Sequence, residues 1–199
     1  MAAVQPGRIG PASDVSLLGA ILFEILFEKP PHEGDTVDEV LESARRNQRV
    51  FPVPAPESTR KYQRVLRNVL FRALAGNPED RYPNAAEFSM ALRQELTFLK
   101  SLTLAEDAMR RMDEILVAGR PERGSDRPAS WFYENYEQVI AGLARSLHEW
   151  PENRTATEQL RAAHLSYAEF AVERGDLALA DAHLEPLRDR ETRAEHLRR

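Results

Sequence analysis

The residue types that most often carry out chemistry are present, but their spacing does not build a familiar reactive site. The five histidines show no metal-ligand spacing. Ser, His and Asp all occur, yet no Gly-x-Ser-x-Gly segment presents a serine nucleophile. Cysteine is absent, which excludes disulfides, thiolate nucleophiles and cysteine-based metal sites. The sequence therefore predicts no catalytic residue, no cofactor-binding residue and no metal ligand. The histidines are His32, His148, His164, His183 and His196.

Composition places the chain among ordinary globular proteins. Of its 199 residues, 42% are hydrophobic and 30% are charged, and the net charge is -5. No basic excess indicates nucleic acid or an anionic membrane as partner. The N-terminus lacks the apolar segment of a signal peptide, so we expect a cytoplasmic protein. The preference for Arg over Lys, together with abundant Ala, suggests a GC-rich bacterial gene.

The elements that would position any site are helices, and we expect an all-α fold. Residues 12–28 are the most apolar element, and their large side chains lie on all sides of a helical wheel. A helix that is apolar all round is normally buried. Ser13 or Asp14 can cap its start. An extended, proline-containing loop is predicted for 49–58 and a turn for 77–83. Further helices are predicted for 35–48, 59–75, 85–99, 103–118, 131–149, 155–174 and 177–188.

Two segments in the first half share their order and spacing with one protein family. Residues 13–26 (SDVSLLGAILFEIL) run into 29–34 (KPPHEG), and 73–88 (ALAGNPEDRYPNAAEF) follow about fifty residues later. The first segment resembles the central F helix of the large lobe in bacterial serine/threonine protein kinases. The second resembles the junction between the H and I helices. The resemblance covers about residues 1–98 and implies the helices of a kinase large lobe.

The resemblance carries two structural residues over to this chain. An Asp at the position of Asp14 holds the kinase catalytic loop, and an Arg at the position of Arg81 pairs with a glutamate. The alternatives are a helix N-terminal carboxylate, favoured by the helix dipole, for Asp14, and a turn residue that bonds nearby carbonyls for Arg81. On an alignment of residues 1–5 with the family, Val4 stands where the partner glutamate of Arg81 would be.

The motifs that perform phosphoryl transfer in kinases do not occur in these residues. Transfer requires a Gly-rich loop, a strand Lys, a His-Arg-Asp loop and an Asp-Phe-Gly metal ligand. The resemblance therefore implies a truncated or degenerate kinase, or pseudokinase, that is inactive by itself. ATP and Mg²⁺ would serve only a full-length kinase, and no cofactor is expected here. Helix 12–28 would need a protein partner or the missing kinase segment to cover it.

The second half resembles a tetratricopeptide repeat over residues 155–188. Small residues at Ala168, Ala171 and Ala180 suit close helix pairing, and Gly175 makes the turn. A plain helical hairpin is the alternative. The aromatic residues near 131–136 are either a peptide-binding patch or core.

The predicted organisation has three parts. Residues 1–99 are the kinase-like fragment, 100–130 a helix and linker, and 131–199 a TPR-like helical tail. The alternative function is a helical protein–protein interaction or scaffold module with no enzymatic role. Neither function calls for nucleic acid or a membrane.

Overall fold

The computed structural model describes residues 10–47, 57–119 and 127–196. All regular elements in these ranges are helical, which confirms the predicted all-α class. The chain divides into two compact units, Met1–Leu99 (unit 1) and Lys100–Arg199 (unit 2). A 3₁₀ turn lies at Pro78–Asp80. The helices are α1 (Pro11–Phe27), α2 (Val37–Arg45), α3 (Glu57–Ala73), α4 (Ala85–Ala118), α5 (Ala129–Glu149), α6 (Arg154–Glu173) and α7 (Leu177–His196).

The core of unit 1 forms where one face of α1 packs on α3. Val15, Gly19, Phe23 and Leu26 recur every three or four residues, which places them on one side of the helix, and all four are buried. Gly19 permits the close approach, since a Cβ there would lie 2.9 Å from the Cβ of Ala73. Phe23 is completely buried and belongs to the same cluster as Leu66 and Leu70 of α3 and Leu74, which directly follows α3.

The ends of α1 are fixed by backbone and side-chain hydrogen bonds. Gly10 is the N-cap and Pro11 takes the first helical position, where a missing N–H costs nothing. Ser13 does not cap the start as predicted; its Oγ reaches back and accepts from the Gly10 N–H at 3.4 Å. At the other end, Gln63 Nε2 donates to the Leu26 carbonyl at 2.7 Å, which satisfies a terminal acceptor.

Helix α2 forms but has no buried residue. Thr36 caps it by accepting from the Glu39 N–H at 3.3 Å. Its large apolar side chains are open to water, with Val37 76% and Leu41 47% exposed. The proline-containing loop predicted for 49–58 lies, through residue 56, outside the described residues.

The prediction of separate helices at 85–99 and 103–118 is wrong, because α4 is one helix of 34 residues. Its sequence contains neither Gly nor Pro, so nothing ends the helix between the two stretches. The first part of α4 belongs to unit 1 and the second to unit 2. Of the helix and linker predicted for 100–130, residues 120–126 lie outside the described residues, and α5 already begins at Ala129.

The core of unit 2 is built by the second part of α4 with α5 and α6. The aromatic residues at the start of α5 are core: Phe132 and Tyr136 are buried. Tyr136 stacks on Tyr167 with ring centroids 4.7 Å apart, and Phe132 stacks on Phe170 at 5.1 Å. Residues of α4 contribute to this same cluster through Ala105, Ala108, Met112 and Ile115.

A buried polar network joins α4, α5 and the start of α6. Ser146 Oγ donates to the Ser101 carbonyl at 2.8 Å, and Asn153 Nδ2 donates to Ser101 Oγ at 2.9 Å. The Ser101 hydroxyl therefore donates to Ser146 Oγ, 2.9 Å away. Asn153 Oδ1 also caps α6 by accepting from the Ala156 N–H at 3.1 Å. Every member is paired, so burial leaves none of these groups unsatisfied.

Helices α6 and α7 form a helical hairpin around Gly175, whose φ is +78°. Ala168, Ala171 and Ala180 are buried between the two helices, as their small size suggests. The helix predicted to end at 188 continues to His196. The tetratricopeptide interpretation stays a prediction. None of the helices in the described ranges has the length and hydropathy that a membrane crossing requires.

Candidate functional site

Arg81 follows the 3₁₀ turn and bonds three backbone carbonyls of unit 1. Its Nε donates to Ala75 at 2.7 Å, and its two terminal nitrogens donate to Ala12 at 3.1 Å and Gly76 at 3.4 Å. Ala75 and Gly76 lie just after the end of α3, where carbonyls lack helical partners. Arg81 therefore connects the start of α1 to the end of α3. Burial lowers the pKa of the guanidinium from its ordinary value.

These contacts are those of the alternative reading, in which Arg81 bonds nearby carbonyls. Asp14 lies in the first turn of α1 and is exposed, a position in which the helix dipole favours a carboxylate. The two residues therefore stand near the same end of α1, but Arg81 bonds the Ala12 carbonyl and not the Asp14 carboxylate. Val4, the residue aligned with the partner glutamate, lies outside the described residues.

The segment around Arg81 is fixed by a small aromatic cluster. Tyr82 is buried and meets the Phe88 ring edge-on, with centroids 5.8 Å apart. The Arg72 guanidinium lies over the Tyr82 ring at 4.3 Å. Burial raises the pKa of the Tyr82 hydroxyl, which Arg72 partly offsets. This packing places Arg81 where its donors reach α1.

The second face of α1 carries large apolar side chains that contact water. Leu17 is 66%, Ile21 56% and Ile25 68% exposed, and Leu18 is 37% exposed. Leu17, Ile21 and Ile25 are four residues apart and form one line along the helix. We call these four residues the outer face of α1. Each large apolar side chain left in water forgoes ~1.5–3 kcal/mol of burial energy.

One pair of titratable residues was not apparent from the sequence. Nδ1 of His164 on α6 lies 3.0 Å from Nδ1 of His183 on α7, so one ring donates and the other accepts. Burial lowers the pKa of both, and the proximity of His183 lowers that of His164 further. Glu137 Oε1, 3.8 Å from His183 Nε2, acts in the opposite direction. Their spacing of nineteen residues matches no local motif, so only the hairpin brings them together.

Within the described residues no group of three or more His, Asp or Glu side chains is arranged to hold a metal ion. The two histidine rings lie 5.2 Å apart and the Tyr167 ring lies 4.2 Å from that of His183, while the Glu137 side chain is 59% exposed. The Tyr167 hydroxyl has a raised pKa because of burial and Glu137. The cluster is thus part of the packing between α5, α6 and α7.

Part of this chain is similar in sequence to bacterial serine/threonine-protein kinases. Over 75 residues, 38% of this chain, it is 41% identical to the serine/threonine-protein kinase PknB of Mycobacterium leprae and 40% identical to that of Mycobacterium tuberculosis. Over 108 residues it is 28% identical to the serine/threonine-protein kinase PknH of Mycobacterium bovis. The chain spans 12% of the PknB length and 17% of PknH. No family model and no solved structure matches the chain. The chain therefore has partial similarity to serine/threonine kinases.

Proposed function

We propose that unit 1 is a segment of a serine/threonine kinase large lobe and that this chain alone transfers no phosphate. The similarity over 75 residues to PknB carries the proposal. The absence from the sequence of the Gly-rich loop, strand Lys, His-Arg-Asp and Asp-Phe-Gly motifs supports the inactivity. In this role Asp14 and Arg81 would hold neighbouring parts of the kinase lobe in position. ATP and Mg²⁺ would bind only a full-length kinase. We expect that kinase to be cytoplasmic.

The outer face of α1 supports the proposal physically. The four side chains are 37–68% exposed, so covering the rest of them would add roughly half of the full burial energy each, about 3–7 kcal/mol in total. That is comparable to a sizeable part of a small domain's stability of ~5–15 kcal/mol. A missing segment of the lobe would cover this face. The inner face already meets α3 through Gly19 and Phe23, so α1 would be enclosed on both sides.

The test is a chimera in which residues 10–99 of this chain replace the corresponding helices of PknB. Because these helices would only support the active site, the folded chimera should phosphorylate a protein substrate with ATP and Mg²⁺. This chain alone should give no transfer under the same conditions. Transfer by the chain alone, or a folded chimera that binds ATP and transfers nothing, would contradict the proposal.

The same exposed face favours a second candidate, a helical interaction module that keeps the kinase-like helices as scaffold. A separate protein would then cover Leu17, Ile21 and Ile25. The in-frame DNA upstream of Met1 distinguishes the two. A Gly-rich loop and a His-Arg-Asp motif there would support the kinase segment, and a stop codon with a ribosome site at Met1 would support the module. A TPR-like tail at 131–199 is compatible with both candidates.

A further inference from the structure

Helix α3 carries a concentration of positive charge that the kinase similarity does not use. It contains five Lys or Arg and one Glu, a net charge of +4, in a chain whose net charge is -5. Arg60, Arg64 and Arg67 recur at intervals of four and three residues, which places them on one stripe of the helix. All three are exposed.

This stripe borders an apolar groove of unit 1. The groove has a volume of about 320 Å³, at the lower end for ligand sites in proteins. Phe27 from the end of α1 and Leu70 and Phe71 from α3 give it an apolar lining. We call this surface, with its three arginines, the arginine groove.

Two of the arginines have no carboxylate partner within the described part of the chain. Neither Arg64 nor Arg67 makes an ion pair there, whereas Arg45 and Arg46 both pair with Glu42. Arg67 lies over the Phe71 ring, with its guanidinium carbon 5.1 Å from the centroid. This contact holds the guanidinium beside the apolar lining. The Arg67 side chain would therefore lose less conformational entropy when a ligand binds.

From this charge and lining we propose that the arginine groove binds an acidic peptide segment that carries an aliphatic or aromatic side chain. The carboxylates would pair with Arg64 and Arg67, since a guanidinium can bond a carboxylate through two parallel N–H donors. The apolar side chain would occupy the space between Phe27, Leu70 and Phe71. Because the ligand needs both carboxylates and an apolar side chain, it differs from a simple polyanion.

The test measures fluorescence anisotropy of a fluorescein-labelled peptide of alternating Glu and Leu with the full chain. Two control peptides replace either all Glu by Gln or all Leu by Ser. The alternating Glu and Leu peptide should bind, both control peptides should bind at least about tenfold more weakly, and salt should weaken binding because the charges are exposed.

The protein variants are Arg64→Glu and Arg67→Glu, with Arg64→Gln as a milder change and Arg145→Glu, an exposed arginine of unit 2, as the matched control. Circular dichroism melts establish that each variant folds. Each groove reversal should weaken binding at least about tenfold, and the control should not.

Four results would overturn the proposal: no binding of the Glu and Leu peptide, equal binding of the Ser peptide, equal loss in Arg145→Glu, or binding unchanged in both groove reversals. Tighter binding of duplex DNA or of phosphatidylserine vesicles than of the peptide would also overturn it, in favour of that other partner.

Discussion

The two units of this chain differ in how completely they bury their apolar residues. In unit 2, Val139 and Leu143 on α5 are completely buried, and the polar side chains of Ser101, Ser146 and Asn153 satisfy one another. In unit 1, α1 buries one face on α3 while its outer face remains in water. Unit 2 therefore buries its central helix α5 against neighbours, whereas unit 1 leaves one face of its most apolar helix exposed.

The comparison shows that apolar content alone does not make a core. Helix α1 is more apolar than α5, yet it has a larger share of exposed large side chains. Both helices have neighbours: α5 shares a cluster with residues of α4 and α6, and α1 shares clusters with residues of α3 and with Phe88 of α4. What distinguishes α1 is its outer face, which none of these neighbours covers. The variants below test this difference, in order of decreasing effect.

The largest effect should come from paired truncations on the two helices. Leu143→Ala removes a completely buried side chain and should lower the free energy of unfolding of unit 2 by about 2–5 kcal/mol. Ile21→Ala removes one that is 56% exposed and should change stability by less than about 0.5 kcal/mol. Urea unfolding followed by circular dichroism measures both. Equal losses would contradict the difference between the units.

The contact between α1 and α3 should be sensitive to volume at Gly19. Gly19→Val forces a side chain against Ala73 and Leu74 and should destabilise unit 1 by about 1–3 kcal/mol. Gly10→Ala is the matched control, because a Cβ there meets nothing within 4 Å. Hydrogen exchange of peptides from α1 and α3 should rise in the first variant only. Unchanged exchange in Gly19→Val would show that the two helices are not packed as described.

The polar network of unit 2 should contribute more than an ordinary helix cap. Asn153→Ala removes the cap of α6 and the bond to Ser101, and should cost about 1–2 kcal/mol. Asp176→Ala removes only the exposed cap that accepts from the Leu179 N–H and should cost less, about 0.5–1 kcal/mol. Thermal melts compare them. An equal shift in the two variants would mean that the network adds nothing.

The smallest effect concerns pH and the His164–His183 pair. Both pKa values are lowered in the folded chain from 6.5, so protonation is resisted in the folded state. The stability of unit 2 should be fully present above about pH 6.5 and fall as the pH drops through the lowered values. His183→Gln should reduce this slope, whereas His148→Gln, exposed on α5, should keep it. Thermal melts between pH 5 and 8 measure how the stability changes with pH. Equal slopes in the unaltered chain, His183→Gln and His148→Gln would contradict a role of the histidine pair.

The sequence predicted the fold class and most helices because hydrophobic periodicity is a local property. It does not predict the continuity of α4, because the apolar pattern forms two separate stretches although no Gly or Pro divides them. The Ser101–Ser146–Asn153 network and the His164–His183 contact join residues distant in the chain, and no local pattern reports such contacts. The spacing of Arg60, Arg64 and Arg67 was visible, but the apolar groove beside it required α1 and α3 together.

Cysteine labelling tests the central claim, that α1 presents a face that a kinase lobe covers. The chain has no cysteine, so Ile21→Cys reports on that face alone. In this chain the thiol should react with a maleimide about as fast as Glu79→Cys, an exposed turn position. In the PknB chimera, made in a cysteine-free background, labelling at 21 should slow at least about tenfold while labelling at 79 stays fast. Equal rates at position 21 in the chain and in an active chimera would contradict the account.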